Sequence, residues 1–112
     1  MAVVVPAHNE EKLIAETIRG IPQFVDRIYV VDDRSTDGTA EAVRTLADPR
    51  VELLEHERNL GVGGAILTGY FKARDDRIDV TAVMAADARR VRAALGAAAR
   101  GGLTGEAYDA LA

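Results

Sequence analysis

Four short apolar runs alternate with three helical patterns along this chain, which restricts it to one class of fold. The runs are predicted strands, and they cover residues 2–5, 28–31, 51–54 and 79–84. The first helical pattern follows residue 9, the second runs from about residue 36 to 46, and the third runs from about residue 63 to 73. Because strands that alternate with helices pair in parallel through right-handed crossovers, this order predicts an α/β domain with a parallel sheet.

Each predicted strand stops at a patch of small, polar or acidic residues. The patches are residues 6–10, 32–39, 56–64 and 85–89. In a parallel sheet the carboxyl ends of the strands lie along one edge, and open α/β folds bind their ligands there. We therefore expect the four patches to form a single candidate site.

The length and composition of the chain exclude several classes of protein. A chain of 112 residues forms one domain at most, and its net charge of −4 with scattered arginines does not fit a nucleic-acid-binding protein. The absence of cysteine excludes disulfides, thiolate zinc sites and a cysteine nucleophile, and it fits the cytoplasm. The apolar stretch near the start is too short for a signal sequence or a membrane span.

Two adjacent carboxylates, Asp32 and Asp33, follow the second strand, which is expected to be buried. Because adjacent carboxylates repel, the pair is costly unless a ligand donor, a cation or solvent satisfies it. Such carboxylates can accept hydrogen bonds from a nucleobase N–H or from ribose hydroxyls. The pattern is equally compatible with a solvated loop in which Asp37 and Gly38 form a turn before the helix.

The first patch also has two interpretations. Pro6 and Ala7 place a rigid turn and a small side chain where a flat ring can approach the backbone. Alternatively, Pro6 ends the strand, Asn9 caps the next helix and Glu10 lies in its first turn. Taken alone, this segment favours the second interpretation, with His8 as an exposed loop histidine.

Three glycines, Gly61, Gly63 and Gly64, stand directly before the third helical pattern. Glycine lets backbone amides approach an anion closely, and a helix N-terminus favours negative charge. The segment matches neither a Walker loop nor a Rossmann fingerprint on the first strand. A tight loop that allows close packing of helix on strand is the alternative, and ligand binding is slightly favoured over it.

A single aspartate, Asp87, follows the fourth strand and is the only acidic residue between Asp79 and Glu106. An isolated carboxylate at the carboxyl end of a strand suits a divalent cation, which prefers oxygen ligands. A helix N-cap explains Asp87 almost as well.

Three long motifs occur in order along the chain. They span residues 4–11, 30–39 and 59–65, and Gly69 and Tyr70 follow the last one. Together they resemble the N-terminal half of a family 2 glycosyltransferase of the GT-A fold, most of all the dolichyl-phosphate mannosyltransferase-like group. The resemblance covers about residues 2–88. It implies a three-layer α/β/α, Rossmann-like domain, whose four strands we expect in the order 3-2-1-4.

The resemblance implies transfer of a sugar from a UDP- or GDP-linked donor to an acceptor, often a polyprenyl phosphate. The residues implied in nucleotide binding are Pro6, Ala7, Asn9, Glu10, Asp32, Asp33, Gly61, Gly63 and Gly64. The first four would line the nucleobase and ribose pocket, the two aspartates would contact the nucleoside, and the glycines would shape the pocket wall. Asp87 matches the second aspartate of the family's Asp-x-Asp region, and it would hold Mg²⁺ or Mn²⁺ against the diphosphate.

The chain departs from the family pattern in its last quarter. Ala85 stands at the position of the first aspartate of the Asp-x-Asp region, and Arg89 stands where a glutamine is usual. The family's acceptor half, with its catalytic base, does not follow. We therefore expect a nucleotide-sugar-binding half-domain over residues 1–88 and a helical tail rich in Ala, Arg and Gly over residues 89–112. On this interpretation the chain is a truncated enzyme whose activity alone is in doubt.

Two alternatives to a glycosyltransferase remain at this point. One is a non-catalytic module that binds a nucleotide diphosphate without turnover, and the other is an inactive folding fragment without a ligand. In each case the exposed edge of the sheet and an uncovered face can promote self-association.

Overall fold

The structure is a computed structural model of the chain and describes residues 1–84. In chain order its elements are β1 (Ala2–Ala7), α1 (Ile14–Arg19), β2 (Arg27–Asp32), α2 (Thr39–Leu46), β3 (Val51–Glu55), α3 (Gly61–Asp75) and β4 (Thr81–Val83). The strands form one parallel sheet in the order β3-β2-β1-β4, which confirms the predicted fold class and strand order. Asp87 and the predicted tail lie outside the described residues, so the boundary at residue 88 stays a prediction.

The two central strands are buried on both faces of the sheet. All six residues of β1 are buried, and only the first residue of β2, Arg27, is exposed. Valine dominates both strands, and its β-branched side chain suits a pleated surface. Because helices cover both faces, β1 can carry Val3, Val4 and Val5 in succession without alternating polar residues.

Alternate residues of the central strands point into two separate apolar cores. The core under α1 and α2 includes Val3, Val5, Ile14, Ile18, Ile28, Val30 and Val43. The core under α3 contains Ala2, Val4, Tyr29, Val31, Ala65 and Ala73. The helices therefore form two outer layers, as predicted for a three-layer domain. None of the helices within residues 1–84 has both the length and the apolar character needed to cross a membrane.

The helix α3 packs against β1 at a glycine. A side-chain carbon added at Gly69 would lie 2.3 Å from Cγ1 of Val4, far inside van der Waals contact. Gly69 therefore allows the close approach of α3 to the sheet.

The other end of α3 is fixed to β2 by a buried tyrosine. Tyr29 is fully buried, and its hydroxyl donates to Oδ2 of Asp76 at 2.6 Å. The ammonium of Lys72 lies 3.1 Å from the other oxygen of Asp76 and 3.6 Å from Glu52. Burial, and then the hydrogen bond to Asp76, raise the pKa of Tyr29 to about 12.

Strand β1 continues through Pro6 to Ala7, so the prediction that Pro6 ends the strand is wrong. Backbone groups of a strand face its two neighbours in alternation: the Ala7 carbonyl bonds on the β2 side and the Val4 carbonyl on the β4 side. The backbone nitrogen of Pro6 therefore faces the β4 side, and proline has no N–H to donate there.

All three helices begin at positions other than those predicted, and the second, expected from about residue 36, starts at Thr39 after Gly38. The first helix starts at Ile14 after Leu13, which makes no side-chain cap bond. Asn9 has a φ of 53° and points its side chain at the loop after β2, so the predicted capping role of Asn9 is wrong. The third helix starts at Gly61, and the predicted glycine loop is therefore its first turn.

Candidate functional site

The carboxyl ends of β1, β2 and β3 lie side by side, as predicted. Ala7 is paired with Asp32, and Asp32 is paired with Glu55. Beyond these pairs, the Asp33 N–H donates to the Ala7 carbonyl at 2.8 Å, and the His56 N–H donates to the Asp32 carbonyl at 2.9 Å. The structure thus brings three of the four predicted patches together at one edge, and the fourth lies outside the described residues.

The carboxylate of Asp33 is the centre of this edge. Asp33 is only 3% exposed, and its Oδ1 accepts the Leu60 N–H at 2.7 Å while its Oδ2 accepts the Gly61 N–H at 2.9 Å. Nδ1 of His56 lies 2.9 Å from Oδ1. Burial raises the pKa of Asp33, but the hydrogen bonds from His56, Leu60 and Gly61 outweigh it and hold the pKa below its ordinary value. The ionised carboxylate therefore anchors the N-terminus of α3.

His56, the first residue of the third patch, and Thr68 belong to this cluster, although neither was predicted individually as a site residue. Nε2 of His56 lies 2.8 Å from the hydroxyl of Thr68, which in turn reaches the Gly64 carbonyl at 2.9 Å. His56 sits just after β3, and Thr68 lies twelve residues later within α3. No local periodicity links two such positions, and only the packing of the loop reveals their contact.

The side chain of Asp32 closes its own loop. Its Oδ1 accepts hydrogen bonds from the backbone N–H and the hydroxyl of Ser35, at 3.1 Å and 2.5 Å. Between these residues Arg34 adopts a left-handed conformation with a φ of 57°. The neighbouring carboxylates thus have different partners: Asp32 bonds within its loop, and Asp33 bonds the next loop. Protein donors thus reach both oxygens of Asp33 but only Oδ1 of Asp32.

Five hydrogen bonds from backbone N–H groups to side-chain oxygens fasten the loop after β1 to the loop after β2. In each pair the first residue donates: Asn9 N–H to Ser35 Oγ, Glu10 N–H to Thr39 Oγ1, Glu11 N–H to Asp37 Oδ2, Thr36 N–H to Asn9 Oδ1, and Gly38 N–H to Glu11 Oε2. Much of the polar character of these two motifs is therefore used to join the loops. These hydrogen bonds, called the loop joint below, hold the two loops together without a ligand.

His8 bridges all three loops instead of lying exposed, as the sequence suggested. It is half-buried, and its Nδ1 donates to the Asp33 carbonyl at 2.7 Å, since a carbonyl can only accept. Its Nε2 lies 3.5 Å from the side-chain nitrogens of Asn9 and Asn59. His8 therefore presents an acceptor nitrogen at the centre of the edge.

The remaining predicted residues of the first patch lie around this histidine. Pro6 and Ala7 are buried at the end of β1, whereas Asn9 is exposed and Glu10 is partly buried. Of these four residues, Ala7 bonds to Asp33 through its carbonyl, whereas Asn9 and Glu10 bond to residues further along the loop after β2.

The three predicted glycines lie in the first turn of α3 and differ in their surroundings. Gly61 has a φ of 83°, a left-handed conformation that favours glycine, and no atom lies within 4 Å of where a side-chain carbon would stand. Gly63 is buried, and a side-chain carbon at Gly64 would lie 2.7 Å from Cβ of Leu60. Of the three glycines, Gly61 is therefore the one whose backbone conformation, and not its packing, favours glycine.

A metal site does not form among the described residues. Within residues 1–84, no three His, Asp or Glu side chains stand close enough together to hold an ion. Oδ1 of Asp32 and both oxygens of Asp33 are already bonded to protein donors. These residues do not fit a divalent cation, and the prediction of Mg²⁺ or Mn²⁺ at Asp87 stays a prediction.

Two curated relatives share this part of the chain. The UDP-N-acetylglucosamine–dolichyl-phosphate N-acetylglucosaminyltransferase of Methanococcus voltae is 32% identical over 100 residues, which cover 76% of this chain and 40% of that protein. The undecaprenyl-phosphate mannosyltransferase of Micrococcus luteus is 33% identical over 88 residues, which cover 75% of this chain and 36% of that protein. The chain therefore spans less than half the length of these relatives.

A solved structure and a family model also match this chain. The solved structure of a mannosyltransferase from Pyrobaculum calidifontis in complex with GDP-Man and Mn²⁺ matches with a TM-score of 0.57 and 34% identity, over 64% of this chain and 24% of that one. The solved structures that resemble this chain are GT-A glycosyltransferases, which confirms the predicted fold type. The profile of the family "Glycosyl transferase family 2" matches residues 2–90, most of the chain. The chain belongs to glycosyl transferase family 2.

Proposed function

We propose that this chain binds the nucleotide of a UDP- or GDP-linked sugar at the carboxyl edge of β1, β2 and β3. The observation that carries the proposal is the meeting of all three family motifs around the buried carboxylate of Asp33. The names of its relatives support the donor class, because one is named for UDP-N-acetylglucosamine and a solved one holds GDP-Man. Sugar transfer is proposed for a whole enzyme of which this chain supplies the nucleotide side.

Asp32 is proposed to contact the nucleoside directly. Its Oδ1 bonds to Ser35, and no donor within residues 1–84 reaches its Oδ2. A carboxylate oxygen without a donor in this part of the chain suits a nucleobase N–H or a ribose hydroxyl.

The other predicted residues are proposed to form the walls of the same pocket. One wall is the first turn of α3, with Gly61, Gly63 and Gly64, held by Asp33. The opposite wall is the loop joint, with Pro6, Ala7, Asn9 and Glu10. The hydrogen bonds between the loops support this role, because a pre-formed pocket does not lose binding energy to ordering.

We include Mg²⁺ or Mn²⁺ in the proposal, held by Asp87 against the diphosphate. The Mn²⁺ in the complex of the Pyrobaculum calidifontis mannosyltransferase supports a divalent cation. Such an ion would neutralise charge on the leaving nucleotide. Arg89, two residues further on, is a fixed cation that would either repel the ion or pair with phosphate in its place.

The acceptor is proposed to be a polyprenyl phosphate. The two curated relatives are named for dolichyl phosphate and undecaprenyl phosphate, and both names contain a lipid phosphate. A cytoplasmic location is part of the proposal, and the lack of cysteine fits that reducing compartment. Self-association through the exposed edge of β4 or β3 is retained as a further property to test.

Calorimetry with UDP, GDP and their sugars, each with and without Mn²⁺, tests this function. Binding of UDP or GDP is expected in the wild type, and Asp32→Asn is expected to weaken it. Asp75→Asn, which changes an exposed carboxylate at the far end of α3, is the matched control and is expected to bind like the wild type. Absence of heat with every nucleotide would overturn the proposal, and binding without any transfer or donor hydrolysis would favour the non-catalytic module.

A further inference from the structure

His56 is buried next to the proposed nucleotide site and is held at both ring nitrogens. Its side chain is only 9% exposed. Nδ1 lies 2.9 Å from Oδ1 of Asp33, and Nε2 lies 2.8 Å from Oγ1 of Thr68. The Thr68 hydroxyl reaches the Gly64 carbonyl one turn earlier in α3. A continuous chain of contacts therefore runs from the Asp33 carboxylate through the imidazole into the body of the helix.

The chemistry of these groups holds the imidazole in one place. An ionised carboxylate can only accept, so Nδ1 donates to Asp33. The Thr68 hydroxyl can accept from Nε2 while donating to Gly64, or it can donate to Nε2 instead. His56 thus keeps both partners whether or not Nε2 carries a proton, and neither nitrogen is left over for a substrate.

The glycine loop depends on the same carboxylate. Gly61 has no neighbour in the place of a side chain, so packing does not hold its left-handed conformation. Its N–H bonds to Oδ2 of Asp33 and to Oδ1 of Asn59, each at 2.9 Å. The carboxylate of Asp33 accepts hydrogen bonds from the side chain of His56 and from the backbone N–H groups of Leu60 and Gly61. All three donors belong to residues 56–61. The carboxylate and the loop therefore fix each other.

We propose that His56 and Thr68 are positioning residues for nucleotide binding, which fix the Asp33 carboxylate and through it the first turn of α3. This inference rests on the proposed function. Neither side chain touches the nucleotide, and both act through Asp33. Without the imidazole, a lone pair of a buried carboxylate loses its donor, and a smaller fraction of the protein holds the loop ready for the ligand.

A set of variants of the full chain separates positioning from stability. His56→Ala is expected to weaken UDP or GDP binding about tenfold, since it removes a hydrogen bond to a charged group. His56→Asn keeps an N–H donor near the place of Nδ1 and is expected to recover most of that loss. Thr68→Val removes only the hydroxyl and is expected to weaken binding about threefold, whereas Thr68→Ser restores it. Val43→Ala, in the core under α2, is the control that lowers Tm without changing affinity.

Amide hydrogen exchange gives a second measurement that needs no nucleotide. Exchange at Leu60 and Gly61 is expected to accelerate about tenfold more in His56→Ala than in Val43→Ala, because those amides bond to Asp33. If the wild type binds no nucleotide but exchange behaves in this way, the proposed function fails while the fixing of the loop stands. Equal exchange in the two variants, or unchanged affinity in a folded His56→Ala, would overturn the inference.

Discussion

The side-chain oxygen of Asn9 accepts the backbone N–H of Thr36 at 2.8 Å, across 27 residues of sequence. This bond belongs to the five that join the loop after β1 to the loop after β2. Polar motif residues that resemble a ligand-binding set are thus also the framework of the edge. Binding of a nucleotide there depends on a joint that the protein makes by itself.

Asn9→Gly is expected to lower the free energy of unfolding by about 1 kcal/mol. Glycine accepts the φ of 53° without strain, so the loss reports on the missing side-chain oxygen and not on the backbone. Urea unfolding measures the change. Asn9→Asp keeps the acceptor and serves as the control, and equal losses in the two variants would contradict a role for this hydrogen bond.

Gly69→Ala is expected to lower the free energy of unfolding by about 1–3 kcal/mol, because the added carbon would lie 2.3 Å from Val4 on a central strand. Gly20→Ala is the matched control, since the nearest atoms to a carbon there are backbone oxygens at 3.5 Å. Thermal unfolding of both variants tests the claim. A Gly69→Ala protein as stable as Gly20→Ala would show that α3 does not depend on this close approach.

Tyr29→Phe is expected to be less stable than the wild type by about 1 kcal/mol at neutral pH. Burial, followed by the bond to Asp76, raises the pKa of Tyr29 to about 12, above its ordinary value of 10.0. A raised pKa stabilises the fold below pH 10, and this contribution is lost as the pH rises towards 12. The difference between the two proteins, measured by urea unfolding, should therefore shrink over that range. A difference independent of pH would contradict this.

Asp33→Asn is expected to lower the free energy of unfolding by about 2 kcal/mol at pH 7. Although burial raises the pKa of Asp33, its hydrogen-bond donors hold the pKa below 3.8. The ionised carboxylate therefore stabilises the fold above pH 3.8, and this stabilisation is lost as the pH falls below that value. The difference in the free energy of unfolding between the wild type and Asp33→Asn should be largest near pH 7 and should shrink as the pH falls below 3.8. The exposed Asp75→Asn should match the wild type over the same range of pH.

The fold was accessible from the sequence because its signals are local. Valine runs and helical spacing alternate along the chain, and parallel pairing follows from that alternation. The contacts that set the helix positions are not local. Gly69 against Val4 and Tyr29 against Asp76 join residues far apart in sequence, and nothing in either segment alone indicates its partner.

The meeting of three predicted patches at one edge of the sheet was accessible from the sequence, but the hydrogen bonds within that edge were not. Asp33 was identified because it follows a buried strand, whereas His56 and Thr68 form no pattern that a sequence displays. Asn9 was assigned to a helix cap because an asparagine that caps and one that bridges two loops have the same local surroundings in sequence. Its left-handed φ, which depends on the neighbouring loop, separates the two roles.

Chemical-shift mapping of the ¹⁵N-labelled chain with UDP or GDP shows directly where a nucleotide binds. The perturbed amides are expected to cluster at the carboxyl edge, around Asn9, Asp32 and Gly61. At the opposite end of the sheet, a cavity of about 410 Å³ is lined by Arg19, Gln23, Leu46, Asp48, Pro49 and Arg50, and its cations offer an alternative place for phosphates. Perturbations confined to that cavity, or none at either end, would rule out nucleotide binding at the carboxyl edge.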